Sequence, residues 1–111
     1  QRQMCIRDSN RLDQLESIAS THELAAVKME VQRTSPPDPG FLEGVRELCT
    51  RRGIVLIFDE CTSGFRETFG GLHLKYGDEP DMAMFGKTLG NGYAINAIIG
   101  TQAVISFAWR A

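Results

Sequence analysis

Two side chains in this sequence of 111 residues could carry covalent and acid–base chemistry, Asp59 and Lys87. Asp59 follows the apolar run Ile54-Val55-Leu56-Ile57-Phe58. A carboxylate in that position is costly unless a cation or a hydrogen-bond donor meets it. A helix cap or a backbone contact would satisfy it equally well, so the residues alone leave its role open. Lys87 lies within Phe85-Gly86-Lys87-Thr88-Leu89-Gly90-Asn91-Gly92, where glycines let the backbone approach a ligand closely or take positive φ. Loop lysines are usually solvated, but a buried one shifts its pKa and offers a free amine for a Schiff base. Glu30 closes an apolar stretch of its own and reads as a solvated strand end.

Asp59 and Lys87 can be joined in two ways. In the first, residues 54–60 (IVLIFDE) form a Walker B strand whose Asp59 and Glu60 hold magnesium, and Gly86-Lys87-Thr88 ends a phosphate loop. That loop needs a glycine five residues before Gly86, where Asp81 stands, and it normally precedes the Walker B strand. A nucleotide hydrolase is therefore the alternative reading, and it requires a phosphate loop upstream. In the second, the pair serves pyridoxal 5'-phosphate, which needs a lysine for its aldimine and an acid to keep its ring nitrogen protonated. The protonated ring is the electron sink that stabilises a carbanion. An aspartate on the floor of the site and a lysine from the end of the next strand would supply both.

Either arrangement depends on the elements that position the two residues. Leu12, Leu15, Ile18 and Ala19 recur at helical spacing over residues 10–20, and residues 24–30 (LAAVKME) read as a short strand. Pro36 and Pro37 break the loop that follows. Asp38-Pro39 predicts a helix start, with Asp at the cap and Pro at the first helical position. Phe41, Leu42, Val45, Leu48 and Cys49 form its apolar stripe, Arg51 and Arg52 suit its last turn, and Gly53 ends it. Residues 54–58 show no alternation, the pattern of a strand buried on both faces within a parallel sheet. Residues 82–85 and 94–99 predict two further strands. Thr101 is placed to cap a last helix, with Ala103, Val104, Phe107 and Ala108 on one face and Trp109 in its final turn. Strand, helix and strand with short connections make a βαβ unit, and the fold class is α/β. In open α/β sheets, ligands bind at the carboxyl ends of the strands. Glu30, Asp59-Glu60 and Gly86-Lys87 all fall there.

Composition narrows the function classes. Hydrophobic residues at 42% and charged residues at 23% are ordinary for a soluble globular domain. No apolar run approaches the roughly 18 residues that cross a bilayer. Twelve basic against fourteen acidic residues give a net charge of −2 and a pI near 5.6, which argues against a nucleic-acid partner. Cys5, Cys49 and Cys61 are irregularly spaced and read as free thiols of a reducing compartment, the cytoplasm. His22 and His73 have no partners at metal-ligand spacing. Residues 1–9 (QRQMCIRDS) lack periodicity and read as a non-native, adapter-derived tail, leaving residues 10–111 as the folded part. The abrupt ending after Trp109 reads as an internal piece of a longer protein.

Residues 24–105 resemble the class III, or ornithine-type, pyridoxal phosphate-dependent aminotransferases, and among them the glutamate-1-semialdehyde aminomutase-like proteins. The matching words are PGFLEGVRELCTRRG, VLIFDECTSGFR and GLHLKYGDEPDMAMFGKTLGNGYAINAIIG, in family order and spacing. The resemblance implies part of the large domain of a fold-type I transferase, with a mostly parallel sheet and flanking helices. It implies that Lys87 forms the internal aldimine and shuttles a proton, and that Asp59 pairs with the pyridinium nitrogen, a charge-assisted contact. Cys61 falls where relatives place a valine or isoleucine against the ring. Thr62 falls where several place a glutamine near the cofactor's phenolic oxygen. Glu30 matches an acid after the preceding strand, with Val31 in place of the usual proline. Arg66 is expected to be structural, Gly64 and Phe65 to shape the turn, and His73 and Tyr76 to pack. The phosphate-binding loop and the ring-stacking aromatic residue are expected upstream. A residue reaching the phosphate from a homodimer partner and a small C-terminal domain are expected downstream. The chain would then be roughly a quarter of an enzyme acting on a small amine or carbonyl substrate, and inactive alone.

Overall fold

A computed structural model of the protein describes residues 10–108. The tail read at residues 1–9, with Cys5, and the placement of Trp109 lie outside the described residues. The elements run α1 (Leu12–Thr21), β1 (Ala26–Met29), α2 (Phe41–Arg52), β2 (Val55–Asp59), α3 (His73–Tyr76), β3 (Met82–Phe85), a 3-10 turn (Lys87–Leu89), β4 (Ala97–Gly100) and α4 (Gln102–Ala108). The strands form one sheet in the order β1-β2-β3-β4. β1 and β2 are parallel, with Ala26 opposite Val55, and β2 and β3 are parallel, with Asp59 opposite Met84. β4 returns antiparallel to β3, with Ala97 opposite Phe85. The expected α/β architecture with a mostly parallel sheet is present, and α2 is the crossover between β1 and β2.

Helix α2 begins later than Asp38-Pro39 predicts. Its first residue is Phe41, and Gly40 before it has φ 79° and ψ −3°. The Phe41 N–H donates to the Asp38 carbonyl at 3.0 Å, so residues 38–41 form a turn with Pro second and a left-handed Gly third. That is the type II pattern, which Pro-Gly favours over direct entry into the helix. The other end follows expectation. Gly53 is left-handed at φ 66°, its N–H reaches the Thr50 carbonyl at 3.3 Å, and the Ile54 N–H reaches Cys49 at 2.9 Å. This double bond pattern satisfies two carbonyls that the helix leaves open.

The stripe on α2 builds the core. Leu42, Val45, Leu48 and Cys49 pack with Leu56 and Phe58 of β2, joined by Ala19 and by Leu12 and Leu15 of α1. Leu56 and Phe58 are fully buried, whereas Val55, Ile57 and Asp59 are only partly so. Among the described residues, one face of this strand is fully buried and the other only partly. The α1–α2 layer covers the Leu56–Phe58 face, and the face carrying Ile57 and Asp59 keeps access to solvent. At the amino end of the strands, Asp81 Oδ2 accepts from the Leu56 N–H at 2.8 Å and from Arg46 Nη1 at 2.9 Å, tying α2, β2 and the start of β3 together. Among the described residues, no helix is long and apolar enough to cross a membrane. Leu48→Ala should lower unfolding stability by about 2–5 kcal/mol through the cavity it leaves, read as a lower denaturant midpoint; an unchanged midpoint would remove Leu48 from the core.

Candidate active site

Parallel pairing brings the carboxyl ends of β2 and β3 side by side. Asp59 ends β2, and Lys87 follows the end of β3 by two residues, opening the 3-10 turn. Lys87 has φ 40°, a left-handed conformation that costs a non-glycine residue about 1–2 kcal/mol. Gly86 before it is extended, and a Cβ there would lie 2.7 Å from Asn96 Oδ1 and 3.5 Å from Cys61 Sγ. Only a bare backbone fits between those two side chains. The Lys87 amine turns back towards the β2 end and donates to Thr62 Oγ1 at 2.5 Å.

Asp59 meets the cation its position demands. Lys28 Nζ of β1 lies 2.8 Å from Asp59 Oδ2, and the Cys61 N–H donates to Oδ1 at 3.1 Å. The Lys28 ammonium holds the Asp59 carboxyl below the usual carboxylate range, against the upward push of burial. Asp59 in turn raises the Lys28 amine. Burial, followed by the Asp59 contact, pushes the Cys61 thiol up, and Lys87 and Lys28 pull the other way. Lys28, Asp59, Cys61, Thr62 and Lys87 thus form one charged cluster. The sequence alone does not single out Lys28 as part of this cluster. The signal was present, since it is the one charged side chain in the apolar segment 24–29 (LAAVKM), but its contact depends on strand register.

Glu60 takes no part in that cluster. It is fully buried, and its carboxylate accepts from the His73 N–H at 2.9 Å and from the Ser63 hydroxyl, with His73 Nδ1 2.8 Å away. His73 also packs against Phe58, 5.8 Å between ring centres. The turn between them needs Gly64, because a Cβ there would come within 2.6 Å of the Phe85 ring and 2.8 Å of the Glu60 carbonyl. Phe65, at φ 59°, sets its ring 5.5 Å from that of Phe85. Arg66 Nε bonds to the Thr62 carbonyl, and the Tyr76 hydroxyl bonds to Gln32 at 2.8 Å. Glu30 pairs loosely with Arg33 at 3.7 Å, beside the cluster and not in it.

These contacts dispose of the Walker B reading. Successive strand residues face opposite ways, so Asp59 goes to Lys28 and Glu60 goes to His73 and Ser63 in the core. The two carboxylates do not converge on a shared position. Among the described residues, no group of three His, Cys, Asp or Glu side chains could hold a metal ion.

Residues 2–109 match the family model described as aminotransferase class-III. The chain belongs to that family. It is 51% identical, over 73 residues, to the glutamate-1-semialdehyde 2,1-aminomutase of Geotalea daltonii, covering 66% of this chain and 17% of that protein. The structure is similar to that of an omega-transaminase from Sphaerobacter thermophilus, with 36% identity and a TM-score of 0.82 over 88% of this chain and 24% of the other. It is also similar to a glutamate-1-semialdehyde-aminomutase from Pseudomonas aeruginosa in complex with PMP, with 30% identity and a TM-score of 0.84 over 96% of this chain and 24% of the other. The chain therefore spans about a sixth of the curated relative and a quarter of these structures. A nucleotide hydrolase finds no support among the relatives, which are aminomutases and transaminases.

The lowered Asp59 value has a definite sign in its pH dependence. The Lys28 contact favours the folded state above the unfolded carboxylate pKa and is lost as pH falls through the lower folded value. A carboxyl carbon NMR titration should place the Asp59 midpoint below the ~3.9 of a free aspartate. A midpoint at or above that value would contradict the pairing.

Proposed function

We propose that this class III aminotransferase chain supplies the lysine and the aspartate that hold pyridoxal 5'-phosphate in an aminotransferase or aminomutase. One observation carries the reading: an ionised carboxylate and a primary amine stand at the carboxyl ends of adjacent parallel strands, the first bonded to Cys61 and the second to Thr62 of the turn after β2. The donor set fits the cofactor. Asp59 is an acceptor-only anion suited to a protonated ring nitrogen, and Lys87 is an amine suited to a carbonyl carbon. When bound, the cofactor supplies an electron sink for a carbanion next to the reacting nitrogen.

The chain's own residues do the rest. Asp59 binds the ring nitrogen and keeps its proton in place. The paired charge is worth more here than in bulk water, because Asp59 is partly screened from solvent. Lys87 would hold the cofactor through its carbonyl carbon, and its Nζ would be the base that takes and returns the proton at the substrate carbon. The Thr62 hydroxyl holds that Nζ over the end of β2, in place of the contact to the phenolic oxygen that a glutamine would make. Cys61, beside Gly86 and Asp59, would lie against one face of the ring. Residues 10–111 belong to the large domain of a longer chain, and the working unit is a cytoplasmic homodimer with a small amine or carbonyl substrate. An amino aldehyde of the glutamate-1-semialdehyde kind and a keto or sugar-derived intermediate both suit this chemistry. The identity to the Geotalea aminomutase favours the first.

Lys87→Ala in the full-length enzyme should abolish the visible absorbance that the cofactor shows when attached to a lysine; an unchanged spectrum sinks the assignment. Asp59→Asn should retain the cofactor but slow the amino-transfer half-reaction by orders of magnitude in single-turnover measurements. Near-normal turnover would remove Asp59 from the electron-sink role.

A further inference from the structure

Both Asp59 oxygens are engaged by the chain itself. Oδ1 accepts from the Cys61 backbone, a contact built into the turn after β2, while Oδ2 faces the Lys28 ammonium at 2.8 Å. Lys28 reaches it from β1, where parallel register sets it opposite Ile57 on the accessible face of the sheet. About half of the Lys28 side chain is exposed, against a quarter of that of Asp59. A pair so accessible contributes little to folding. Its larger effect is on the charge and direction of the carboxylate.

We propose that Lys28 is a positioning residue for Asp59, supplying its counter-charge before the cofactor ring nitrogen arrives and competing with that nitrogen for Oδ2 afterwards. The proposal rests on the reading of Asp59 as the ring-nitrogen partner. A protonated ring nitrogen and an ammonium are both cationic donors. A carboxylate oxygen has two lone pairs and can accept from both. Two cations on one oxygen nevertheless repel, and each makes the other easier to deprotonate. With Lys28 in place, the ring nitrogen is therefore protonated less readily than Asp59 alone would make it, and the cofactor is held less tightly.

Among the described residues, the other charged or titratable groups facing this pair are few. Cys61 lies beside Asp59, Lys87 acts on Cys61 from the end of β3, and Glu30 acts on Lys28 from the end of β1. None replaces the direct contact to Oδ2. Without Lys28, burial pushes the free Asp59 carboxyl up and only the Cys61 backbone and side chain oppose it. The consequence is a pair of opposed effects. Near neutral pH, loss of Lys28 removes a competitor and tightens cofactor binding. In acid, the same loss lets Asp59 protonate sooner and weakens binding. The two pH profiles cross.

The test uses the full-length enzyme as wild type, Lys28→Met and Lys28→Arg. Pyridoxal 5'-phosphate affinity is measured by fluorescence between weakly acidic and neutral pH, and ring protonation by the nitrogen NMR shift of ¹⁵N-labelled cofactor. Lys28→Met should bind about two- to fivefold tighter near neutrality, the scale of a half-exposed ion pair. It should lose affinity at a higher pH than wild type and move the ring signal towards the protonated position. Lys28→Arg should follow wild type in all three. A residue that merely packs would not make the profiles cross. Identical profiles for wild type and Lys28→Met, or an Arg variant that behaves like Met, would overturn the role of Lys28 while leaving the cofactor site standing. Failure of the wild type to take up the cofactor at all would overturn the site and the proposal with it.

Discussion

Parallel pairing of β2 with β3 is the constraint on which the rest of the site depends. A parallel pair cannot be closed by a hairpin, so the chain must leave the end of β2 and travel back before β3 can start. Residues 60–81 make that return. Their first residues bring Cys61 beside Gly86 and Thr62 within reach of Lys87. The Glu60 N–H bonds to the Met84 carbonyl at 2.8 Å, which extends the pairing just past Asp59 and holds the start of the return against β3. Without that register, Lys87 and Thr62 would have no reason to meet.

The return segment is held by Glu60 as much as by backbone pairing. A buried carboxylate without partners is among the most expensive groups a fold can contain. Here the backbone and ring of His73 and the hydroxyl of Ser63 surround it. Ser63 stands at the start of the return segment and His73 at the first residue of α3, so one carboxylate gathers both ends of the intervening turn. Gly64 and Gly71 permit this closeness, since side chains there would collide with Phe85 and with His73. The geometry around Thr62 is thus set from the core side, by residues that never reach the open face.

The elements legible in sequence were those decided by local physics. Gly53 ends α2 because the left-handed position after a helix favours a residue without a Cβ, and β3 occupies residues 82–85 as its apolar run implies. Asp59 and Lys87 stand out in the sequence as candidates because charged groups beside apolar runs and glycines are exceptional. The start of α2 was misread where two local rules compete: Asp-Pro suits a helix start, but Pro-Gly suits a type II turn, and the left-handed Gly40 shows which prevails. The layers over β2 are not legible in sequence, because an apolar run states what a strand tolerates, not what lies over it. Lys28 was missed for a different reason. Its partner is far away in sequence, and only the register of β1 on β2 brings ammonium and carboxylate together.

Asp59 and Glu60 show why adjacent, chemically similar residues take different work. Alternation along a strand sends them to opposite faces. On the core face, Glu60 has no water and must find every partner within the protein, which leaves it no capacity for a ligand. On the open face, Asp59 keeps a quarter of its side chain accessible, one oxygen on a backbone N–H and the other on a side chain that is itself half exposed. An exposed ion pair is weak enough to be exchanged. On the proposed reading, a carboxylate held ionised by an exposed cation is suited to meet a second cation, such as a protonated ring nitrogen. The face on which each residue lies, more than its chemistry, decides which of the two is sealed in the core and which stays accessible.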